Sequence, residues 1–198
     1  MSLTRQKVTL IGNFALFFGP LILVMLMRSS WWQYQPANLK NQGHLVQPPV
    51  HLALEHKQAQ EVEGKWLILY MLAQPCDQAC IDHATLLRQI HRASGRERDH
   101  LAVALLGPGN MESGLREKLE SIYPEFILIP DTAATASETL AAVNTVVAEN
   151  TGDTSSIHTY VLDPMLNVIL AYGANTNPSG IHKDLKRLLK WSDQEKTR

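Results

Sequence analysis

The chain has 198 residues, a formal net charge of -1, 45% hydrophobic and 19% charged side chains. That supports one ordinary globular domain plus an appendage, and the near-neutral balance argues against a nucleic-acid partner, which demands a basic face. Its 2 cysteines cannot build the disulfide framework of a small secreted scaffold, but they can form one bond.

Residues 1–7 read as a short polar N-terminus. Residues 8–27, VTLIGNFALFFGPLILVMLM, carry no charged side chain. A helix of that length spans about 30 Å, the thickness of a bilayer's hydrocarbon core. Gly12, Asn13, Gly19 and Pro20 weaken the run but are tolerated in membrane helices. Arg5 and Lys7 precede it and favour a cytoplasmic N-terminus, while Trp31, Trp32 and Tyr34 suit the far interface. The run is longer than that of a signal peptide and the aromatic pair Trp31-Trp32 stands where small cleavage-site residues should be, so it reads as an uncleaved transmembrane anchor. Residues 28–48 are rich in Gln, Asn and Pro and read as a polar tether, with a domain over 49–192 and a polar tail over 193–198.

Within the domain, 51–54 reads as a short first strand. Trp66 to Leu72 is apolar without interruption and flanked by turn signals, the pattern of a strand covered on both faces. Gln74-Pro75 ends it. Cys76 and Cys80 come next, at the first turn of a helix whose Ala84, Leu86, Leu87 and Ile90 recur at helical spacing. A helix start offers unpaired N–H groups and partial positive charge, both of which stabilise a thiolate. Spacing i, i+4 puts the two sulfurs on one face, able to close a disulfide or to grip one soft metal ion. Gly95 is placed to end this helix.

The pattern then predicts a strand over 100–106, a helix over 112–122 with Leu115, Leu119 and Ile122 inward, and a strand over 126–129. Thr135 and Glu138 have the form of a capping box opening a helix with Leu140, Val143 and Val147 inward. Strands over 157–162 and 167–172 are joined closely enough for a hairpin. Asn177 or Ser179 can cap a last helix. Alternating strands and helices imply parallel pairing, and the hairpin adds an antiparallel edge. The expected fold class is α/β, a mixed sheet between helices, with the cysteines at the carboxyl end of a central strand.

This order resembles the thioredoxin-like fold. More narrowly, the chain resembles the SCO/SenC family of membrane-anchored proteins that serve cytochrome c oxidase assembly. The matching residues are Gly64-Lys65-Trp66, the C-x-x-x-C of Cys76 and Cys80, and Tyr160-Val161-Leu162-Asp163-Pro164. The resemblance implies copper handling or thiol–disulfide exchange by a redox-active Cys76–Cys80 pair, a cytochrome c oxidase subunit or another assembly factor as partner, and a bacterial inner membrane location with the domain in the periplasm. The mitochondrial inner membrane, facing the intermembrane space, fits the same argument. It also implies a histidine as third copper ligand shortly before Tyr160. Ser155 stands at the family's position, and His158 is the nearest histidine, so the implied metal set is Cys76, Cys80 and His158. A general thiol–disulfide oxidoreductase and a scaffold without chemistry are the alternatives.

His83 shares a helical face with both cysteines and reads as a packed, hydrogen-bonded side chain or a ligand. His158 begins a strand, and alternation does not decide where it points. His44, His51, His56, His91, His100 and His182 read as solvated. Asp77, beside Cys76, disfavours a thiolate by like charge. Arg92, Arg96 and Arg98 read as a solvated helix end.

Overall fold

The computed structural model describes residues 2–28, 41–151, 156–174 and 176–196. The chain divides into two units, residues 1–40 and 41–198. In the first, helix α1 runs over Ser2–Arg28, with Phe14, Leu16, Phe17, Leu21 and Met25 exposed. Among the described residues no helix is long and apolar enough to cross a membrane, so the anchor expected over 8–27 is not shown. Trp31, Trp32 and Tyr34 lie outside the described residues.

The second unit is built on a six-stranded mixed sheet. In chain order the elements are β1 (His44–His51), α2 (His56–Val62), β2 (Trp66–Met71), α3 (Gln78–Ala93), a 3-10 turn (Gly95–His100), β3 (Leu101–Pro108) and α4 (Ser113–Ile122). Then come β4 (Ile127–Asp131), α5 (Thr135–Thr151), β5 (Ile157–Leu162), β6 (Asn167–Gly173) and α6 (Pro178–Lys196). The sheet order is β1-β6-β5-β2-β3-β4. β2, β3 and β4 are parallel; β5, β6 and β1 join antiparallel. The uninterrupted apolar runs fall on β2 and β3, inner strands whose two faces are both covered by helices.

The pleat divides the core in two. Ile68, Tyr70, Val103 and Leu105 face α3, α4 and α6. Leu67, Leu69, Ala102 and Ala104 face α5. Helix α3 stops as expected: Ser94 is its C-cap, and Gly95 follows at φ +59°, a left-handed conformation that glycine adopts without strain. At the head of α6, Asn177 Oδ1 accepts from the Ser179 backbone N–H at 3.0 Å, so Asn177 is the cap.

Four expectations need correction. The first strand is longer and earlier than 51–54: residues 44–48, read as tether, belong to β1, which pairs with β6. Tertiary pairing overrides the two prolines, which are tolerated because β1 is an edge strand. A short helix, α2, precedes β2; its sequence has little apolar periodicity, and Glu55 and Gln58 form its capping box. Thr135 does not cap α5. Asp131, at the end of β4, does so with both carboxylate oxygens, accepting from the N–H groups of Ala136 (3.3 Å) and Ser137 (2.8 Å). Finally, His91 is 4% exposed rather than solvated. Its Nε2–H donates to the Leu101 carbonyl at 3.0 Å, leaving Nδ1 to accept from the Tyr123 hydroxyl at 2.8 Å.

Chain entry into this unit is held by a residue that the sequence did not single out. Asp184 on α6 is 1% exposed. One of its carboxylate oxygens accepts from the backbone N–H of Gln42 (2.7 Å) and of Gly43 (3.1 Å), and from the Tyr172 hydroxyl (3.3 Å). The other lies 3.6 Å from Arg187. A buried carboxylate is tolerated only with such donors. Together with Asp184, burial pushes the Tyr172 phenol's pKa well up.

Candidate functional site

β2 ends at Met71, and residues 72–77 turn the chain from the carboxyl end of the sheet into α3. The Gln74–Pro75 bond in this turn is cis. Cys76 lies just before the helix, partly exposed; Cys80 lies in the first turn and is 2% exposed. The two are joined in a disulfide with Cα atoms 5.3 Å apart. One sulfur sits at the rim and its partner behind it, the order in which an attacking and a resolving cysteine are needed.

Asp77 is the N-cap of α3, and its Oδ1 accepts from the Cys80 backbone N–H at 3.0 Å. The carboxylate therefore has two opposed effects. It satisfies a helix-end donor, and it places negative charge next to the sulfur that must become a thiolate. Its field reaches Tyr70 as well. Burial, then the Asp77 charge, raises the Tyr70 phenol's pKa.

The two histidines singled out by the sequence, on α3 and β5, are close enough to act on one another electrostatically. His83, one turn beyond Cys80 on α3, stacks on Tyr70 with centroids 4.5 Å apart. Its Nε2 makes a 2.8 Å hydrogen bond with the Thr159 hydroxyl. Tyr70 and Thr159 are themselves register partners across β2 and β5. Burial, and secondarily the His158 charge, lowers the His83 pKa, so the ring is held in its neutral form. The β5–β6 register shifts between Ile157 and Thr159, which takes His158 out of strict alternation. That bulge is why alternation along the strand does not place His158. Its Nδ1 is buried and has no hydrogen-bond partner.

The implied ligand set of Cys76, Cys80 and His158 is not assembled as a metal centre. Both sulfurs are spent in the disulfide. Among the described residues no group of three or more His, Cys, Asp and Glu side chains could hold a metal ion. Once reduced, the pair alone offers two thiolates, a donor set that suits a soft ion. Ser155 lies outside the described residues.

A parallel β2–β3–β4 unit, an antiparallel β5–β6 hairpin and a cysteine pair where β2 leads into α3 define a thioredoxin-like protein. Residues 66–192 match the family model described as transmembrane-like, thioredoxin-like, C-terminal domain, and the chain belongs to that family. No curated protein matches the chain. Among solved structures it is similar to apo Sco1 from Thermus thermophilus, with TM-score 0.54, 14% identity, and coverage of 78% of this chain and 99% of that one. Copper-bound yeast Sco1 aligns with TM-score 0.51 and 18% identity, over 72% of this chain and 90% of that one. Copper-bound ScoI from Arabidopsis thaliana aligns with TM-score 0.50 and 17% identity, over 67% and 89%. At these identities the likeness shows the fold.

Proposed function

We propose that this chain is a membrane-anchored, thioredoxin-like assembly factor of SCO type that works by thiol–disulfide exchange at Cys76–Cys80. The observation that carries the reading is the disulfide itself, with Cys76 at the rim and Cys80 buried behind it. In the reduced protein, the Cys76 thiolate attacks a partner disulfide. A mixed disulfide forms, and one partner sulfur leaves as a thiolate and takes up a proton. Cys80 loses its proton and attacks Cys76 Sγ, which releases the second partner sulfur as a thiol and re-forms the bond seen here. The partner gains two electrons and two protons, and the pair loses them. An external dithiol reductant runs the same steps backwards to reset the pair.

The uncharged run 8–27, its helical conformation within α1 and the exposed apolar side chains there support an anchor. The domain then works outside the bacterial inner membrane, where a cytochrome c oxidase subunit or another assembly factor presents its cysteines. Substituting the resolving cysteine is the direct test. Cys80→Ser should accumulate a mixed disulfide with a dithiol-derived substrate, and Cys76→Ser should not. Equal trapping by both variants, or a wild-type pair that stays oxidised across glutathione buffers of every ratio, would reject the reading.

A second reading is Cu(I) carriage by the reduced pair, with the ion as cargo. It is favoured by the unpartnered, buried Nδ1 of His158, an imidazole nitrogen with a lone pair or proton unused. Cu(I) titration of the reduced chain, against Cys76→Ser, Cys80→Ser and His158→Ala, tests it. Affinity no greater than that of the double cysteine variant excludes it.

A further inference from the structure

We propose that a cavity beside the cysteine turn is a specificity subsite, which takes an aliphatic side chain standing next but one to the reacting cysteine of the partner protein. The sheet order sets the parallel strands β2, β3 and β4 side by side, so their carboxyl ends and the turns that leave them share one edge. A cavity of about 280 Å³ opens at that edge. Met71 and Gln74 line it from the end of β2 and its turn, Leu106 and Pro108 from the end of β3, and Asp131 and Ser137 from the end of β4 and the start of α5. The exchange steps between the sulfurs leave it unused.

Size and chemistry select the occupant. The cavity is smaller than the roughly 300–1,000 Å³ of sites that enclose a drug-sized molecule, so it suits a single side chain. Met71, Leu106 and Pro108 offer apolar walls, and a methionine, with its flexible thioether, moulds to varied aliphatic shapes. Among the described residues no Lys or Arg lines it. Continuity with Cys76 then selects the partner. Gln74 stands two residues before Cys76 in one turn, and two residues of extended chain cover at most about 7 Å. A segment whose cysteine is attacked at the rim can therefore run along the sheet edge to the cavity. In an extended segment the second neighbour points to the same side as the cysteine, as such a contact needs. Asp77, next to Cys76, and Asp131, in the cavity wall, stand at the two ends of that path, so an acidic residue there is repelled.

The inference rests on Cys76 as the attacking thiolate, and its test separates the two. The full chain carrying Cys80→Ser is reduced and mixed with cysteine peptides whose sulfur is joined to thionitrobenzoate. The Cys76 thiolate attacks the peptide sulfur, the old S–S bond breaks, and thionitrobenzoate leaves as a coloured thiolate while the peptide stays on Cys76. Peptides with Leu at both second-neighbour positions should react about tenfold faster than those with Ala, and those with Glu should be slowest. Ser137→Phe, which fills the cavity, should erase the preference for Leu and leave unchanged the rate with glutathione joined to the same leaving group. Ser137→Leu takes its place if the larger ring prevents folding. Equal rates for Leu and Ala, a Glu peptide as fast as Leu, or a Leu preference that survives the filled cavity overturns the subsite and leaves exchange standing. No release from any of these disulfides overturns both.

Discussion

Asp77 gives the sharpest test of how the site is tuned, because one carboxylate both caps α3 and crowds the Cys76 sulfur. Asp77→Asn separates the roles. Asparagine caps a helix about as well as aspartate, so the hydrogen bond to the Cys80 N–H survives while the charge goes. A carboxylate on the adjacent residue, taken as about 6 Å from the sulfur at an effective dielectric of about 40–80, repels a thiolate by about 0.7–1.4 kcal/mol. Relieving that repulsion stabilises the reduced, ionised pair and leaves the disulfide untouched. The reduction potential should therefore rise by about 15–30 mV, since about 30 mV corresponds to 1.4 kcal/mol for a two-electron couple. Stability of the oxidised form should change little. Asp77→Ala should show the same rise, plus a loss of about 1 kcal/mol from the missing cap. The assay is equilibration with glutathione buffers, followed by thiol alkylation and mass measurement, with urea unfolding of the oxidised form alongside. An unchanged or lowered potential in Asp77→Asn would refute the reasoning, whatever its stability.

Other consequences concern the frame around the site. Asp184→Ala leaves Gly43 N–H and the Tyr172 hydroxyl without their acceptor, and should lower unfolding free energy by about 3 kcal/mol, read as a reduced urea midpoint at unchanged slope. Gly43→Ala would set its Cβ 2.5 Å from the buried Tyr172 ring and should cost about 1–3 kcal/mol; a midpoint within error of wild type would show that the ring can move aside. Burial pushes the Tyr160 phenol's pKa up to about 12, against the bond from its hydroxyl to Asn144. Below pH 10 the phenol is neutral in both states and no stability is lost. From pH 10 to about 12 the unfolded chain gives up the proton and the native chain does not, so stability should fall with rising pH. Tyr160→Phe should make the urea midpoint fall less steeply over that range, and an identical slope would count against burial as the cause.

Local pattern made the parallel half of the sheet legible. The apolar runs at 66–72 and 101–106 are uninterrupted because β2 and β3 are covered on both faces. The same holds for the cysteine pair, whose position after Gln74-Pro75 and before a helical repeat specified a strand-to-helix junction, and for the hairpin around Asp163-Pro164. Three features were not local. β1 carries Pro48 and Pro49 and looks like tether until β6 supplies its hydrogen-bond partners. Asp131 caps α5 from the previous strand's end, so a window that begins at Thr135 assigns the cap to the wrong residue. Asp184 sits in a helix among Lys183, Lys186 and Arg187 and reads as one more surface charge, because nothing nearby in sequence announces that Gln42 and Gly43 will return to it.

What the amino-acid order determined by itself was therefore the kind of fold and the presence of two sulfurs one helical turn apart, since periodicity and spacing act over a few residues. What the tertiary structure alone decided was which sulfur faces outward, that His83 on α3 and His158 on β5 act on one another, and that Arg96 and Lys186 line one cavity. Those depend on which segments the sheet order makes neighbours, and contacts between residues far apart in the chain leave no periodic trace in it.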